Sequence, residues 1–243
     1  MELICVENDN EAGAKAAERI ASVIKTKPDC VLGLATGSTP IKTYSELAKR
    51  YSNGELDFSS VKAVNLDEYV GLEAEHKQSY AYFMRINFFN HININLNDCY
   101  IPDGKTANPD RECENYDDLI DSFGGIDLQL LGLGENGHIG FNEPSDVFIP
   151  NTHCVQLSES TIRANARFFS SEEEVPQYAY TMGIKGIMQA KKVLMIATGN
   201  KKAKAVKEAF FGDISPECPA SILQLHSNFT LIADKSALSL IKY

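Results

Sequence analysis

The chain has 243 residues, 44% of them hydrophobic and 23% charged, with a formal net charge of -10. That length can bury one sizeable core, and the acidic balance excludes a general nucleic-acid or anionic-membrane partner, which needs a basic face. A small anionic ligand held by a few local cations stays open.

In chain order, residues 1–9 lack the basic and long apolar regions of a signal peptide, and residues 3–6 read as a short strand. Residues 11–25 put Ala14, Ala17, Ala21 and Ile24 at helical spacing and stop at Lys27-Pro28-Asp29. Residues 30–35 are a buried strand, followed by Thr36-Gly-Ser-Thr-Pro40 and a helix through Arg50. Residues 61–66 form the next strand, residues 79–89 an aromatic-rich helix, and residues 111–123 another helix. The strand 127–133 feeds a glycine-rich loop, and residues 158–169 read as a helix with Arg163 and Arg167 one turn apart. Strand 192–198, helix 200–211, strand 229–233 and a short final helix complete the pattern. Continuous apolar strands alternating with helices predict a single α/β domain over residues 1–243, a mainly parallel Rossmann-like sheet with helices on both faces. No apolar run spans a membrane, and six scattered cysteines without C-x-x-C or zinc spacing read as reduced thiols, so the cytoplasm is the expected compartment.

Open parallel sheets bind ligands beyond the carboxyl ends of their strands, and four polar loops fall there. The loop Gly37-Ser38-Thr39 delivers a strand into a helix start, a natural phosphate cradle, although the same residues read as an ordinary helix cap. Asp67-Glu68 ends a strand, where a carboxylate can serve as a general base or simply cap a turn. The third loop carries Gly132-x-Gly134-x-x-Gly137, but no helix can begin cleanly before Asn142 and Pro144, which removes the dinucleotide reading. A metal reading also fails there, because His138 and Glu143 lack a third ligand nearby. His138 is left as a proton carrier, with Asn136 and Glu143 to orient it and set its tautomer, or as a plain surface histidine of the loop. Lys202, in the first turn of the last long helix, is badly placed for the helix dipole unless an external anion sits there, although Lys201 and Lys202 also read as two solvated lysines.

Five segments in this order resemble the glucosamine-6-phosphate deaminase family. They are Leu34-Ala-Thr-Gly-Ser-Thr-Pro40, Asn65-Leu-Asp-Glu-Tyr-Val-Gly71, Leu133-Gly-Glu-Asn-Gly-His-Ile-Gly-Phe-Asn-Glu-Pro144, Arg163-Ala-Asn-Ala-Arg-Phe-Phe169 and Gly199-Asn-Lys-Lys-Ala203. The resemblance implies cofactor-free, reversible conversion of glucosamine 6-phosphate and water to fructose 6-phosphate and ammonia. By position it makes Asp67 the enolisation base and His138 the ring-opening base, helped by Asn136 and Glu143. It gives the phosphate to Gly37, Ser38, Thr39, Arg167 and Lys202. Family members carry Asp or Asn at the Asn136 position, and only the former adds a charge. Allosteric, hexameric relatives bind N-acetylglucosamine 6-phosphate through cations just after the Asn-Glu-Pro run and carry a longer C-terminus. Residues 145–156 hold no Lys or Arg, so a monomer without that allostery is expected, with residues 158–183 as a candidate lid. The competing readings are a 6-phosphogluconolactonase-like ester hydrolase and a non-catalytic sugar-phosphate sensor.

Overall fold

A computed structural model describes residues 1–166, 169, 171 and 174–241. Seven strands form a wholly parallel sheet: β1 (Glu2–Val6), β2 (Val31–Leu34), β3 (Lys62–Asn65), β5 (Cys99–Tyr100), β6 (Leu128–Gly132), β9 (Val193–Ala197) and β10 (Phe229–Asp234). Their spatial order is β1-β10-β9-β6-β2-β3-β5. The helices are α1 (Asp9–Thr26), α2 (Ile41–Ser52), α3 (Tyr80–Asn87), α4 (Pro109–Ser122), α5 (Glu159–Ala166), α6 (Ile184–Gln189) and α7 (Ala203–Phe211).

Alternation along each strand sends side chains to two cores. Leu32, Leu130, Leu194 and Ile196 meet Ala16 and Ile20 of α1, Tyr44 and Leu47 of α2 and Met84 of α3. Val31, Leu131, Met195 and Leu231 meet Tyr116 and Ile120 of α4, Ile187 of α6 and Val206 and Phe210 of α7. Each fully buried Leu or Ile contributes roughly 1.5–3 kcal/mol. Strands apolar on both sides are what the continuous hydrophobic runs require, and helices do cover both faces.

The expected strand over residues 61–66 ends at Asn65, and the chain leaves the main sheet at Leu66. The Leu66 N–H still donates to Leu34 O at 3.1 Å, while its carbonyl accepts from the Met182 N–H at 2.7 Å. From there a second, antiparallel sheet forms, β4 (Asp67–Tyr69), β8 (Tyr178–Thr181) and β7 (His153–Gln156), in the order β4-β8-β7. The expected helix over 200–211 begins as a 3-10 turn, Asn200–Lys202, ahead of α7. The expected final helix does not form: residues 235–240 are turns, with the Leu238 N–H bonded to Asp234 O and the Ser239 N–H to Ser236 O.

Candidate active site

The four polar loops leave the carboxyl ends of β9, β6, β2 and β3, which are consecutive in the sheet. Because these strands are parallel, all four loops emerge on one edge. The sheet grows outward from β2 through β3 to β5 and, on the other side, from β6 through β9, so the crevice between β2 and β6 is the topological switch point. The loops touch. A Cβ on Gly132 would lie 3.9 Å from Thr39 Oγ1, and one on Gly140 3.6 Å from Asp67 Oδ2. Lys201 Nζ of the fourth loop stands 4.0 Å from Glu135 of the third.

His138 is seated by glycine. A Cβ on Gly134 would fall 2.4 Å from its ring, so the imidazole rests directly on backbone, and the Gly134 N–H donates to His138 O at 2.9 Å. The ring nitrogen Nδ1 is buried without a hydrogen-bond partner and lies 3.6 Å from Glu143 Oε2. That separation permits charge attraction and closes to a hydrogen bond with a small shift. Asn136 Nδ2 donates to the same Oε2 at 2.7 Å, and its Oδ1 accepts the His138 backbone N–H at 3.2 Å. Thr161 Oγ1 of α5 donates to Glu143 Oε1 at 2.5 Å. Burial pushes the Glu143 pKa up, but adjacent His138 and the bonds from Thr161 and Asn136 more than offset it, holding the carboxyl at about 2.

Asp67 is the opposite case. It is buried, and its Oδ1 has no partner. Burial, with the Glu68 charge beside it, pushes its pKa up to about 8. Glu68 is neither solvated nor free: its carboxylate accepts the N–H groups of Tyr69, Tyr80 and Ala81, two of which open α3 behind the Ser79 cap. Burial pushes Glu68 up to about 7, and those three donors offset it only in part. Glu68 is thus a structural carboxyl tied to backbone donors at a helix N-terminus, and Asp67 the uncompensated carboxyl facing the loops.

The first loop does not behave as an ordinary cap. Pro40 is the N-cap of α2 and no side chain bonds its first N–H groups. Gly37 adopts φ +95° with open space where a Cβ would be, Ser38 is exposed and Thr39 half-buried. Lys202 is the half-buried N-cap of α7, again with no side-chain cap bond. Its loop is fixed by Gly199, at φ +88°, whose N–H is held by both oxygens of Asp234 at 3.0 Å. Arg163 is exposed and paired with Glu159 at 2.8 Å. Arg167 lies outside the described residues. Among the described residues, no group of three His, Cys, Asp or Glu could hold a metal ion.

Of the residues singled out in the sequence, the structure brings Asn136, His138 and Glu143 together in one loop and sets Asp67 against that loop through Gly140, and it leaves Arg163 outside the group. The sequence reading missed two hydroxyls, that of Thr161 and that of Thr181, whose Oγ1 accepts the Phe141 N–H at 3.0 Å. It missed the bracing role of Asn142, whose Nδ2 ties Ile139 O to Met182 O. Helical periodicity marked α5, but nothing local marks which hydroxyl on it meets a loop 18 residues away.

Known proteins share the fold. The family described as glucosamine-6-phosphate isomerases/6-phosphogluconolactonase matches residues 7–232. A glucosamine-6-phosphate deaminase from Clostridium perfringens is 53% identical over 242 residues, covering 100% of both chains. A solved structure described as a monomeric glucosamine-6-phosphate deaminase superposes with a TM-score of 0.96 at 44% identity, over 99% of this chain and 100% of its own. The 6-phosphogluconolactonase of Trypanosoma brucei reaches a TM-score of 0.76 at 20% identity, over 99% of this chain and 98% of its own, a likeness of fold alone. With the family match spanning nearly the whole chain and a relative aligned end to end, this chain belongs to the family of glucosamine-6-phosphate isomerases and 6-phosphogluconolactonases.

Proposed function

We propose that this chain is a glucosamine-6-phosphate deaminase, an enzyme of amino-sugar breakdown that converts glucosamine 6-phosphate and water to fructose 6-phosphate and ammonia. One observation carries the reading: a buried, uncompensated carboxyl (Asp67) and an imidazole–carboxylate pair (His138 with Glu143) face one crevice beside the uncapped start of α2 and the lysine-bearing turn that leads into α7. The phosphate of the sugar docks on the Gly37-Ser38-Thr39 loop, with Lys202 and Arg167 as its cations. Its binding energy fixes the rest of the sugar against the proton-transfer groups.

Ring opening comes first. His138 takes the proton from O1 and returns it to O5, and the ionised Glu143 stabilises the imidazolium in between. Asp67 then removes the C2 proton of the open aldehyde and delivers it to C1, while one proton of the C2 ammonium passes to O1, which leaves a hydroxymethyl group at C1 and an iminium at C2. Water adds to that carbon and ammonia departs, so the net reaction is a hydrolytic deamination. A carboxyl held near pH 8 is a poor resting base, and the substrate supplies the remedy. Its cationic nitrogen at C2 arrives beside Asp67 and favours the ionised form that the protein leaves uncompensated. The six free cysteines suit a reducing, cytoplasmic setting.

The test is direct. Purified protein with glucosamine 6-phosphate is expected to release ammonia and fructose 6-phosphate in equal amounts, and to leave 6-phosphogluconolactone unhydrolysed above its spontaneous rate. Lactone hydrolysis without ammonia release would establish the ester-hydrolase reading. Binding of the sugar phosphate without turnover would establish a sensor.

A further inference from the structure

We propose that Thr161 is a positioning residue that latches α5 to the His138–Glu143 pair, so that the acid–base pair is complete only when α5 is seated. The proposal rests on the assignment of that pair to ring opening.

Three hydrogen bonds fix the direction of the latch. Thr161 is 9% exposed, and its Oγ1 lies 2.5 Å from Glu143 Oε1 and 3.0 Å from Ser158 Oγ. With its carboxyl held at about 2, Glu143 is an anion at working pH and can only accept. The single hydroxyl proton of Thr161 is therefore committed to Glu143, and its oxygen must accept from Ser158. Ser158 Oγ also accepts the Thr161 backbone N–H at 3.2 Å, which closes the first turn of α5 on itself. The result is a one-way chain, Ser158 to Thr161 to Glu143, ending at the carboxylate 3.6 Å from His138.

The two oxygens of Glu143 are divided between two elements. Oε2 belongs to the loop, through Asn136 and His138. Oε1 is held from outside it, by α5. If α5 moves away, Oε1 loses a charge-assisted bond, the stronger kind, and the carboxylate is free to rotate off His138. The loop alone aims the carboxylate from one side; the helix completes the aim.

The experiment compares Thr161→Val, which keeps shape and removes the donor, with Thr161→Ser, which keeps the donor. The Val variant is expected to lose about tenfold in kcat with KM for glucosamine 6-phosphate changed less than twofold. The Ser variant is expected to recover at least half of the parent kcat. In a Glu143→Gln background the Val substitution is expected to change kcat less than twofold, since the latch has lost its anion. Amide hydrogen exchange over α5 is expected to quicken in both the Val and the Glu143→Gln proteins. Should the Val protein not fold, Thr161→Cys, with a weaker donor, takes its place and is expected to fall below Ser in kcat.

A Val variant with parent kcat overturns the latch, and so does a Ser variant as slow as Val, which would mean that Thr161 acts by packing. An additive loss in the Glu143→Gln background overturns it too. These outcomes differ from failure of the underlying assignment, which would show as a parent protein that releases no ammonia or a Glu143→Gln variant with undiminished kcat.

Discussion

Asp67 carries a charge problem that the folded chain leaves open. Its carboxyl keeps a proton from about pH 4, where an unfolded aspartate loses it, up to about pH 8. Across that window the folded state binds more protons than the unfolded one, so stability falls as pH rises through it and levels off above. Asp67→Asn removes the titration while keeping the shape. Its Tm is expected to exceed the parent's by a margin that widens from pH 4 to pH 8, reaching several degrees, as roughly 1–2 kcal/mol would give in a chain of this size. Turnover of the same variant is expected to fall by on the order of a thousandfold or more, with inorganic phosphate inhibiting as before. Calorimetry at pH 5 and pH 8 checks the first claim, and a variant less stable than the parent at pH 8 would mean that Asp67 is ionised and compensated. Asn136 shows the reverse design. Its amide both donates to Glu143 and accepts from the His138 backbone, a combination that no carboxylate can offer. Asn136→Asp sets a like charge where a donor stood, which raises Glu143 from about 2. The acid limb of kcat is expected to move to higher pH, and a superimposable pH–rate profile would disprove the contact.

Among the elements, α2 stands apart because it starts at the active edge with no side-chain cap, whereas Asn8, Ser79 and Asn108 cap α1, α3 and α4, and α7 continues from a 3-10 turn that takes the Ala203 N–H on Asn200 O. Open N–H groups at a helix start attract anions. Placing a fixed negative charge there, by Ser38→Asp, is expected to raise KM for glucosamine 6-phosphate about tenfold and weaken phosphate inhibition equally, with kcat within about threefold. Equal inhibition constants for parent and variant would remove the phosphate from this loop. The glycine-rich loop was legible in sequence because its chemistry is local. The residue spacing that seats His138 on Gly134, and brings Asn136 and Glu143 beside it, lies within ten residues of chain. The main sheet was legible for a related reason, since apolar runs such as 192–198 mark strands buried on both faces. The second sheet was not. β4, β7 and β8 have three or four residues each and gain their identity only from one another, across separations such as Asp67 to Thr181. The burial of Glu68 was hidden for the same reason, because its donors Tyr80 and Ala81 come from a helix that no local pattern pairs with it.

At the scale of the whole molecule the question is whether the chain works alone. Cooperative kinetics need at least two coupled sites and two global states, and a phosphorylated effector needs cations to hold it. The stretch over residues 145–156, just past Glu143 and Pro144, offers neither Lys nor Arg. Its last part is β7, an outer strand of the second sheet, already paired along its length with β8. The loop ahead of β7 exposes Val147, Ile149 and the acidic Asp146, with no cation among them. A net charge of -10 further opposes self-association through long-range repulsion. The expected behaviour is therefore a hyperbolic dependence of rate on glucosamine 6-phosphate, unchanged by N-acetylglucosamine 6-phosphate, from a particle with the sedimentation mass of a single chain. Both measurements belong at one enzyme concentration, because an assembly that forms only when concentrated would escape a dilute assay. A sigmoidal curve made hyperbolic by the N-acetylated sugar phosphate would overturn the expectation. It would also require an effector site built from cations outside residues 145–156, and a route from that site to the latch between α5 and Glu143.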